Sequence, residues 1–373
     1  MGDVSKMLAA MAYKGEYRFR LEQIAVPEVG EDDVLIKVTT AGITRGLLSI
    51  WQFTDMIKLL PGVIGHELVG VVAQVGSAVS SFQEGERVLV HGAISCGNCD
   101  NCRTGRETLC RSAFTIGHAV YGDAVSMPLY ERYHYGGMAQ YARVPATNLE
   151  RIPENVTDEV AVNVGTLALG LRALRMAEAR FGDVLVITAA SGSSGASAVR
   201  CAPLFGFTTI CGVSTNREGL ERLMDPRGLT HSIATAELPR DWEDKKLLTA
   251  AILETTGTDG IDAIIDFMPF GCEVTMQSIR SMKPGGCAVL GGGNISELNL
   301  PYLELMRNQY QLKGIRGTNR RDEREVMKLL AAGRLEVSDL VTHTFPLTKV
   351  NRAVQTVMER EGSPIFVVLK PWM

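Results

Sequence analysis

The sequence predicts an α/β protein of two domains: a Gly-rich, β-barrel-like domain joined to a parallel, doubly wound sheet. Three observations carry this reading. A chain of 373 residues is long enough for two domains, each with its own core. Up to about Val156 it consists of short β-type runs broken by Gly and polar turns. From about Thr157 strand-like runs alternate with helical stretches, the pattern of a parallel sheet.

The composition is that of a globular protein, with 46% hydrophobic and 21% charged residues and 38 Gly. A net charge of −4 argues against a dedicated nucleic-acid or membrane-surface binder. The segment MGDVSKMLAAMAYKG has no apolar signal region. It begins Met-Gly, but Lys6 stands where a myristoylation signal wants Ser or Thr. Nor is any apolar run long enough to span a bilayer. The expectation is a soluble, cytoplasmic protein with a small-molecule substrate and with no nucleic-acid or membrane partner.

Taken in order, residues 8–25 and 34–41 alternate in the β manner, with turns at Gly15 and at 27–30. VIGHELVGVVAQVGSAV and GERVLVHGAI continue the β character. The segment 117–135 is Tyr-rich and aperiodic and reads as a long loop, a feature that often carries function. DEVAVNVGTLALGLRALRMA is helical and leads to the strand DVLVITAA, a Gly/Ser turn and the helix ASAVRCAPLFG. Strands TTICGVST, THSIA, IDAIIDFM and GCAVLGGG follow, separated by helices EGLERLM, LLTAAILETTG and EVTMQSIRSM. QYQLKGIRG adds a last strand and DEREVMKLLAAGRL a last helix, before 339–373 return to β character. The domains are therefore read as 1–156 with 339–373, and 157–338.

Four of the eight cysteines, Cys96, Cys99, Cys102 and Cys110, form a C-x2-C-x2-C-x7-C loop within a lobe at about 92–114. Close spacing lets a tight turn aim consecutive thiolates at one point, and the longer excursion completes the tetrahedron that zinc prefers. The alternatives are two disulfides, a cluster of loop thiols or an iron–sulfur cluster. The missing secretory signal argues against disulfides, and the spacing, without a following Pro, against iron–sulfur. A Cys₄ zinc is closed, so it fastens a lobe and does no chemistry; one structural zinc per chain is expected. Cys201, Cys211, Cys272 and Cys287 lie in apolar segments and read as core filler.

The turn Ser191-Gly192-Ser193-Ser194-Gly195 follows a strand and opens a helix. Small residues let the backbone approach a pyrophosphate, and the helix N-terminus favours its charge. Ala189 stands at the first Gly of the G-x-G-x-x-G pattern, so the match is imperfect; the alternative is a plain Gly/Ser connection. The next strand ends Val213-Ser214-Thr215-Asn216-Arg217, without the acid that binds a ribose 2′-hydroxyl. Hydroxyls at Ser214 and Thr215 and the Arg217 guanidinium suit a 2′-phosphate, so NADP(H) is the expected cofactor. Gly291 and Gly292, ending the GCAVLGGG strand, are further cofactor candidates. Arg217 could instead be an exposed residue at a helix start.

Taken together, these residues resemble the medium-chain dehydrogenase/reductase superfamily, in its zinc-containing alcohol dehydrogenase branch. The resemblance covers nearly the whole chain. It rests on Gly65-His66-Glu67 within VIGHELVGVVAQVG, the Cys₄ loop and Gly136-Gly137-Met138-Ala139-Gln140-Tyr141. The nucleotide turn, Lys283-Pro284-Gly285-Gly286 and FVVLKP extend it. It implies a GroES-like β-barrel catalytic domain, a Rossmann domain and a dimer or tetramer, of which a homodimer is expected.

The departures from that pattern bear on the reaction. Members that oxidise alcohols hold a catalytic zinc through a Cys in a segment similar to A-G-I-C-G-T-D. This chain reads Ala41-Gly42-Ile43-Thr44-Arg45-Gly46-Leu47, with Thr44 at the Cys. The relay Thr or Ser falls at Gly46, and the third ligand falls within Val164-Gly165-Thr166. His66 and Glu67 remain, too few for an open zinc site, although His118 or His134 could in principle contribute.

Without a Lewis acid, conjugate reduction is less demanding than carbonyl chemistry. The resemblance implies that zinc-less relatives reduce C=C or C=N bonds. The expected activity is NADPH-dependent reduction of an activated C=C or C=N bond. The alternatives are a carbonyl reductase or alcohol dehydrogenase, and a non-redox cyclase or scaffold. Candidate catalytic residues are Thr44, Ser49, His66 and Glu67, with Tyr121, Tyr130, Tyr133 and Tyr135 as further proton donors. His66 and Glu67 could equally serve packing, and the tyrosines loop packing. Trp51, Phe53, Met56, Leu59 and Leu60 are expected along a largely apolar substrate pocket.

Overall fold

In a computed structural model, residues 6–118, 120 and 124–373 are described. The chain divides into two compact units, Met1–Gly165 with Gly317–Met373, and Thr166–Arg316. The first unit is built on the long strand Asp33–Ile43, whose residues are buried on both faces. That strand pairs antiparallel with Leu68–Val75, Tyr141–Pro145 and Phe366–Lys370. Arg87–Val90 and Leu149–Arg151 extend the sheet on one side, and Val341–Pro346 extends it on the other. Register shifts at Leu35/Ile36 and Val38/Thr40 bend the central strand, which lets the sheet curl. A three-stranded sheet of Arg20–Ala25, Lys6–Ala12 and Gly62–Val63 completes this β-rich unit.

The second unit holds a six-stranded, all-parallel sheet. Its spatial order is His231–Ala234, Thr209–Ser214, Val184–Thr188, Ile261–Asp266, Met282–Leu290, Gln311–Gly314. In chain order this is 3-2-1-4-5-6, the doubly wound arrangement. In sheets of this order ligands bind outside the carboxyl ends, where the strand order reverses. Helices on both faces bury the sheet, so its strands read as near-continuous apolar runs. Among the described residues, no helix is long and apolar enough to cross a membrane.

The expected boundaries of 156/157 and 338/339 shift to 165/166 and 316/317. The cause is electrostatic and polar docking. Asp158, opening the helix Asp158–Ala161, accepts from Arg87 Nη2 at 2.6 Å and from Thr39. Glu159 pairs with Lys370, and Arg324 Nε donates to Glu150 at 2.6 Å. Thr108 N donates to Asn319 Oδ1 at 3.3 Å. These ties hold the helix Arg320–Ala331 to the β-rich unit rather than to the parallel sheet.

Three helices fall where loops or strands were expected. Arg45–Phe53 buries Leu47, Leu48 and Trp51 and is capped by Thr44. Met127–Tyr133 interrupts the expected 117–135 loop and buries Tyr130 and Tyr133. At two turns it is too short to show a helical period, and it depends on tertiary anchors. Val350–Glu359 lies within the expected β tail and buries Val350, Ala353, Val354 and Val357. That i, i+3, i+4, i+7 spacing was legible in the sequence.

Candidate active site and metal centre

The turn at 191–195 follows the carboxyl end of Val184–Thr188. Ala189 has φ of 49°, the left-handed region for which a Gly would serve, at a cost of roughly 1–2 kcal/mol. Gly192 caps the helix Ser193–Cys201 without a side-chain bond, and the first turn contains no acid. The opening N–H groups and the helix dipole therefore favour an anion. Gly195 packs so tightly that a Cβ would stand 2.7 Å from Ala190 Cα. A side chain there would push the helix off the strand.

Ser191 Oγ and Ser214 Oγ lie 2.6 Å apart, tying the turn to the end of the neighbouring strand. Arg217 opens the short helix Arg217–Glu221, capped by Asn216 Oδ1, which accepts from Gly219 N at 3.2 Å. Its guanidinium is already engaged: Nε donates to Glu237 Oε1 at 2.9 Å and Nη1 to Ser232 Oγ at 3.1 Å. Sequence reading missed Glu237, because this acid arrives from beyond the third strand, not from the end of the second. Thr215 is exposed. Gly291 and Gly292 are explained by packing: Cβ atoms there would meet Ile315 Cγ2 at 2.7 Å and the Phe267 carbonyl carbon at 2.6 Å.

Asp266, at the switch point, was also missed. Both Thr188 Oγ1 and Thr275 Oγ1 donate to its Oδ1, at 2.6 and 2.9 Å. Burial pushes this carboxyl above its ordinary range, against those hydrogen bonds.

In the lobe, the ligand atoms of Cys96, Cys99, Cys102 and Cys110 all lie within 4.8 Å of one another. Sγ separations of 3.9 Å (Cys96–Cys102), 3.6 Å (Cys99–Cys102) and 3.5 Å (Cys96–Cys110) bracket a tetrahedral edge. Four thiolates at the usual ~2.3 Å from zinc would stand about 3.8 Å apart. The backbone N–H of Asn98 draws the Cys96 thiol down to about 6, whereas burial raises Cys102 to about 12. The antiparallel strands Ala93–Ile94 and Phe114–Thr115 close the root of the lobe. The residues present fit a structural zinc. Of the remaining cysteines, Cys201, Cys211 and Cys287 are buried as expected, but Cys272 is only half-buried, beside the start of Glu273–Arg280.

The catalytic-zinc positions do not fit a metal. Thr44 Oγ1 accepts from Leu47 N at 3.3 Å, so its side chain caps a helix. Gly165 offers no ligand atom. His66 and His118 stack edge to face with ring centroids 4.6 Å apart. Burial lowers His66 to about 4 and His118 well below its ordinary value, so both are neutral imidazoles. Each has an Nδ1 without a hydrogen-bond partner. Glu67 is buried against Gly42, which has no side chain to compete for the space. Among the described residues, the only set of three or more metal-ligating side chains is the four cysteines. Ser49 is half-buried on the helix that Thr44 caps.

The aromatic candidates separate. Tyr133 Oη donates to buried Asp33 at 2.6 Å, with Arg132 Nη2 3.1 Å from the same oxygen. Tyr130 is buried, and desolvation raises its phenol to about 12. Tyr135 is half-buried against His134, and Tyr121 lies outside the described residues. Trp51 belongs to the core, its ring tilted against Phe19 with centroids 4.5 Å apart and Nε1 donating to Tyr13 O at 3.2 Å. Phe53 is exposed, against the expectation of a pocket wall. Arg45, overlooked in the sequence, begins the Arg45–Phe53 helix, whose first turn holds no acid. Burial and the Arg45 charge together lower Arg360.

This architecture has counterparts among known proteins. Residues 30–154 match the alcohol dehydrogenase GroES-like domain family, and residues 195–332 match the zinc-binding dehydrogenase family. The chain is similar to an L-threonine 3-dehydrogenase of Chelativorans sp. (strain BNC1), 30% identical over 341 residues, 90% of this chain and 91% of the relative. It is 26% identical over 364 residues to the L-threonine 3-dehydrogenase of Escherichia coli K12, covering 97% and 99%. Among solved structures, a protein described as a zinc-binding dehydrogenase of Sinorhizobium meliloti 1021, bound to NADP, superposes with a TM-score of 0.83. It is 24% identical and covers 98% of this chain and 100% of its own. An alcohol dehydrogenase of Thermus sp. ATN1 superposes at 0.82 with 24% identity, covering 98% and 99%.

Proposed function

This chain belongs to the medium-chain, zinc-binding dehydrogenase family and is an oxidoreductase, and on that premise we propose that it is an NADPH-dependent reductase working without a catalytic zinc. Its substrate is a small, largely apolar molecule with an activated C=C or C=N bond. The observation that carries this reading is the use of Thr44 as a helix cap, with Gly165 bare and His66 neutral beside His118. A metal that polarises a carbonyl has too few ligands there.

The turn Ser191, Gly192, Ser193, Ser194 and Gly195 is proposed to hold the pyrophosphate. Ser214, Thr215 and Arg217 would then face the 2′-phosphate, with Gly291 and Gly292 beside the nicotinamide end. When bound, the cofactor supplies a hydride. The chain's own part is to orient the acceptor, exclude water and supply a proton wherever hydride addition leaves an anion. Thr44, Ser49, His66 and Glu67 are proposed around the reacting atoms.

A second reading, oxidation of an alcohol or reduction of a ketone, is favoured by the names of the relatives. Metal analysis and turnover separate the two. One zinc per chain, with NADPH oxidised by 2-cyclohexenone or a cyclic iminium and not by simple ketones, supports the first. A second zinc, or NADP⁺ reduction with L-threonine or a secondary alcohol, replaces it with the second. NADPH binding without any turnover points instead to a non-redox role.

A homodimer is proposed from exposed Ile295, Tyr302, Leu303 and Met306 next to the edge strand Gln311–Gly314. A monomeric mass by light scattering would refute it.

A further inference from the structure

A buried ion pair lies against the His66 segment, and no part of the proposed site has yet used it. His91 follows the strand Arg87–Val90, and Glu323 sits in the helix Arg320–Ala331. Their side chains are 2% and 5% exposed, with His91 Nδ1 against Glu323 Oε2. Glu323 Oε1 accepts from Thr318 Oγ1 at 2.6 Å. On the other side, His91 Nε2 has no hydrogen-bond partner, and Glu150 Oε2 stands 3.9 Å away. Glu150 is 28% exposed and is held by Arg324 Nε at 2.6 Å. The contacts therefore run Thr318, Glu323, His91, with Glu150 beyond His91 at the surface.

Two contacts place the inner end. A Cβ on Gly165 would lie 3.8 Å from Glu323 Oε1, so the carboxylate faces the position where a third metal ligand would stand. A Cβ on Gly92 would lie 2.7 Å from His66 O, so the backbone next to His91 backs directly onto His66. A buried ion pair is a poor device for stability, since apolar replacements of similar volume are often neutral or stabilising. A paired acid and imidazole leading to solvent is, in contrast, a ready proton path. The residue that the resemblance assigns to a relay falls at Gly46, which has no side chain to serve.

We propose that Glu323 and His91, with Glu150 at the outer end and Thr318 at the inner end, form a proton relay that serves the reduction. This rests on the reductase reading above. The balance is one hydride and one proton per acceptor. Hydride from NADPH adds to carbon, and the π pair of an activated C=C or a neutral C=N bond moves to leave an enolate or an amide-type nitrogen; an iminium gives a neutral amine and draws no proton. The proton leaves His91 Nδ1 for Glu323, passes through the Thr318 hydroxyl once that group turns to accept from the carboxyl, and reaches the anion through a water molecule to form the new C–H or N–H bond. His91 regains one proton from solvent on the Glu150 side. Glu323, His91, Glu150 and Thr318 are positioning residues, because none is shown touching the substrate.

The groups facing the pair include Arg320, Arg324, Glu150, Thr318 and His66. Burial alone would lower His91, but the Glu323 charge, the Glu150 carboxylate nearby and the bond to Glu323 raise it to about 9, against Arg320. Burial likewise raises Glu323, but His91 and Thr318 hold it below its ordinary range. The proton is thus stored on His91 at neutral pH.

The test uses the whole chain with NADPH and 2-cyclohexenone or a neutral cyclic imine, comparing wild type with Glu323→Gln, His91→Gln and the apolar double variant His91→Leu/Glu323→Leu. Expected are a kcat about 100-fold lower with the KM for NADPH unchanged, a larger solvent deuterium effect, and loss of the alkaline limb of the kcat profile. If a single variant does not fold, the double variant carries the test, since its packing replaces the pair. A folded variant with unchanged kcat and pH profile overturns the relay while leaving the reductase reading intact. Failure of the wild-type chain to turn over any acceptor overturns both.

Discussion

Arg217 and Glu237 form a two-point ion pair at the edge of the parallel sheet, with Nε–Oε1 at 2.9 Å and Nη2–Oε2 at 2.5 Å. The guanidinium that would receive a 2′-phosphate is therefore held by an acid from the next connection. Both side chains are substantially exposed, so the pair is weak enough to exchange partners. A 2′-phosphate bound at Arg217 would have to compete with Glu237.

Removing the competitor should strengthen NADPH binding. Glu237→Gln is expected to tighten NADPH severalfold and leave NADH unchanged, whereas Arg217→Ala should weaken NADPH by about tenfold. Fluorescence titration of both nucleotides checks this. Tighter binding of NADH than NADPH, with Arg217→Ala harmless, would show that the 2′-phosphate is not read here.

The four-cysteine lobe should depend on metal for its fold. Zinc sites of this class contribute roughly 10–16 kcal/mol of apparent binding energy. Cys110→Ser should lose the zinc, and amide exchange should accelerate first in Ala93–Ile94 and Phe114–Thr115. Activity lost while the fold and the lobe zinc persist would instead expose a second metal.

Tyr133 anchors the Met127–Tyr133 helix through Asp33, which is fully buried. Tyr133→Phe leaves that carboxylate short of a donor, at a cost of about 1–3 kcal/mol. Thermal unfolding should fall accordingly while kcat stays within twofold. A stable variant with a large loss of kcat would return Tyr133 to the list of proton donors.

The His91–Glu323 pair makes stability depend on pH in a definite direction. His91 is raised to about 9 in the fold, from about 6.5 in the unfolded chain. Its contribution is fully present below about pH 6.5 and is lost as pH rises through about 9, by at most about 3 kcal/mol. Glu323, held low, contributes above its unfolded value and loses that contribution in acid. Relative to the His91→Leu/Glu323→Leu double variant, the wild-type Tm should fall between pH 7 and 10. A constant difference across that range would contradict the assignment of charges.

Thr44 should behave as a cap as well as a site residue. Thr44→Ala is expected to cost about 1 kcal/mol, and Thr44→Ser little, measured by denaturant unfolding. Equal stability of all three forms would remove the capping argument.

Much of this was legible because it is local. The alternation of strands and helices, the Gly-Ser-Ser-Gly turn and the Cys spacing each depend on residues close in sequence. Short-range periodicity and turn chemistry are written directly into the order of side chains. The helix Val350–Glu359 was legible too, in its apolar spacing, but β-type flanks obscured it. The helices at Arg45–Phe53 and Met127–Tyr133 were not, because each is too short to persist without its anchors.

The sequence alone determined the fold class, the family and the mismatch at Thr44 and Gly165. Only the tertiary structure decided which charges meet. Glu237 reaches Arg217 across 20 residues, Asp33 reaches Tyr133 across 100, and Glu323 reaches His91 across 232. It also decided that the helices at Asp158–Ala161 and Arg320–Ala331 join the β-rich unit, through Arg87 and Glu150. Such partners carry no local signal: an acid reads the same whether it faces water or a buried imidazole. Packing selects among them, because a charge taken out of water must find its counter-charge wherever the fold brings one.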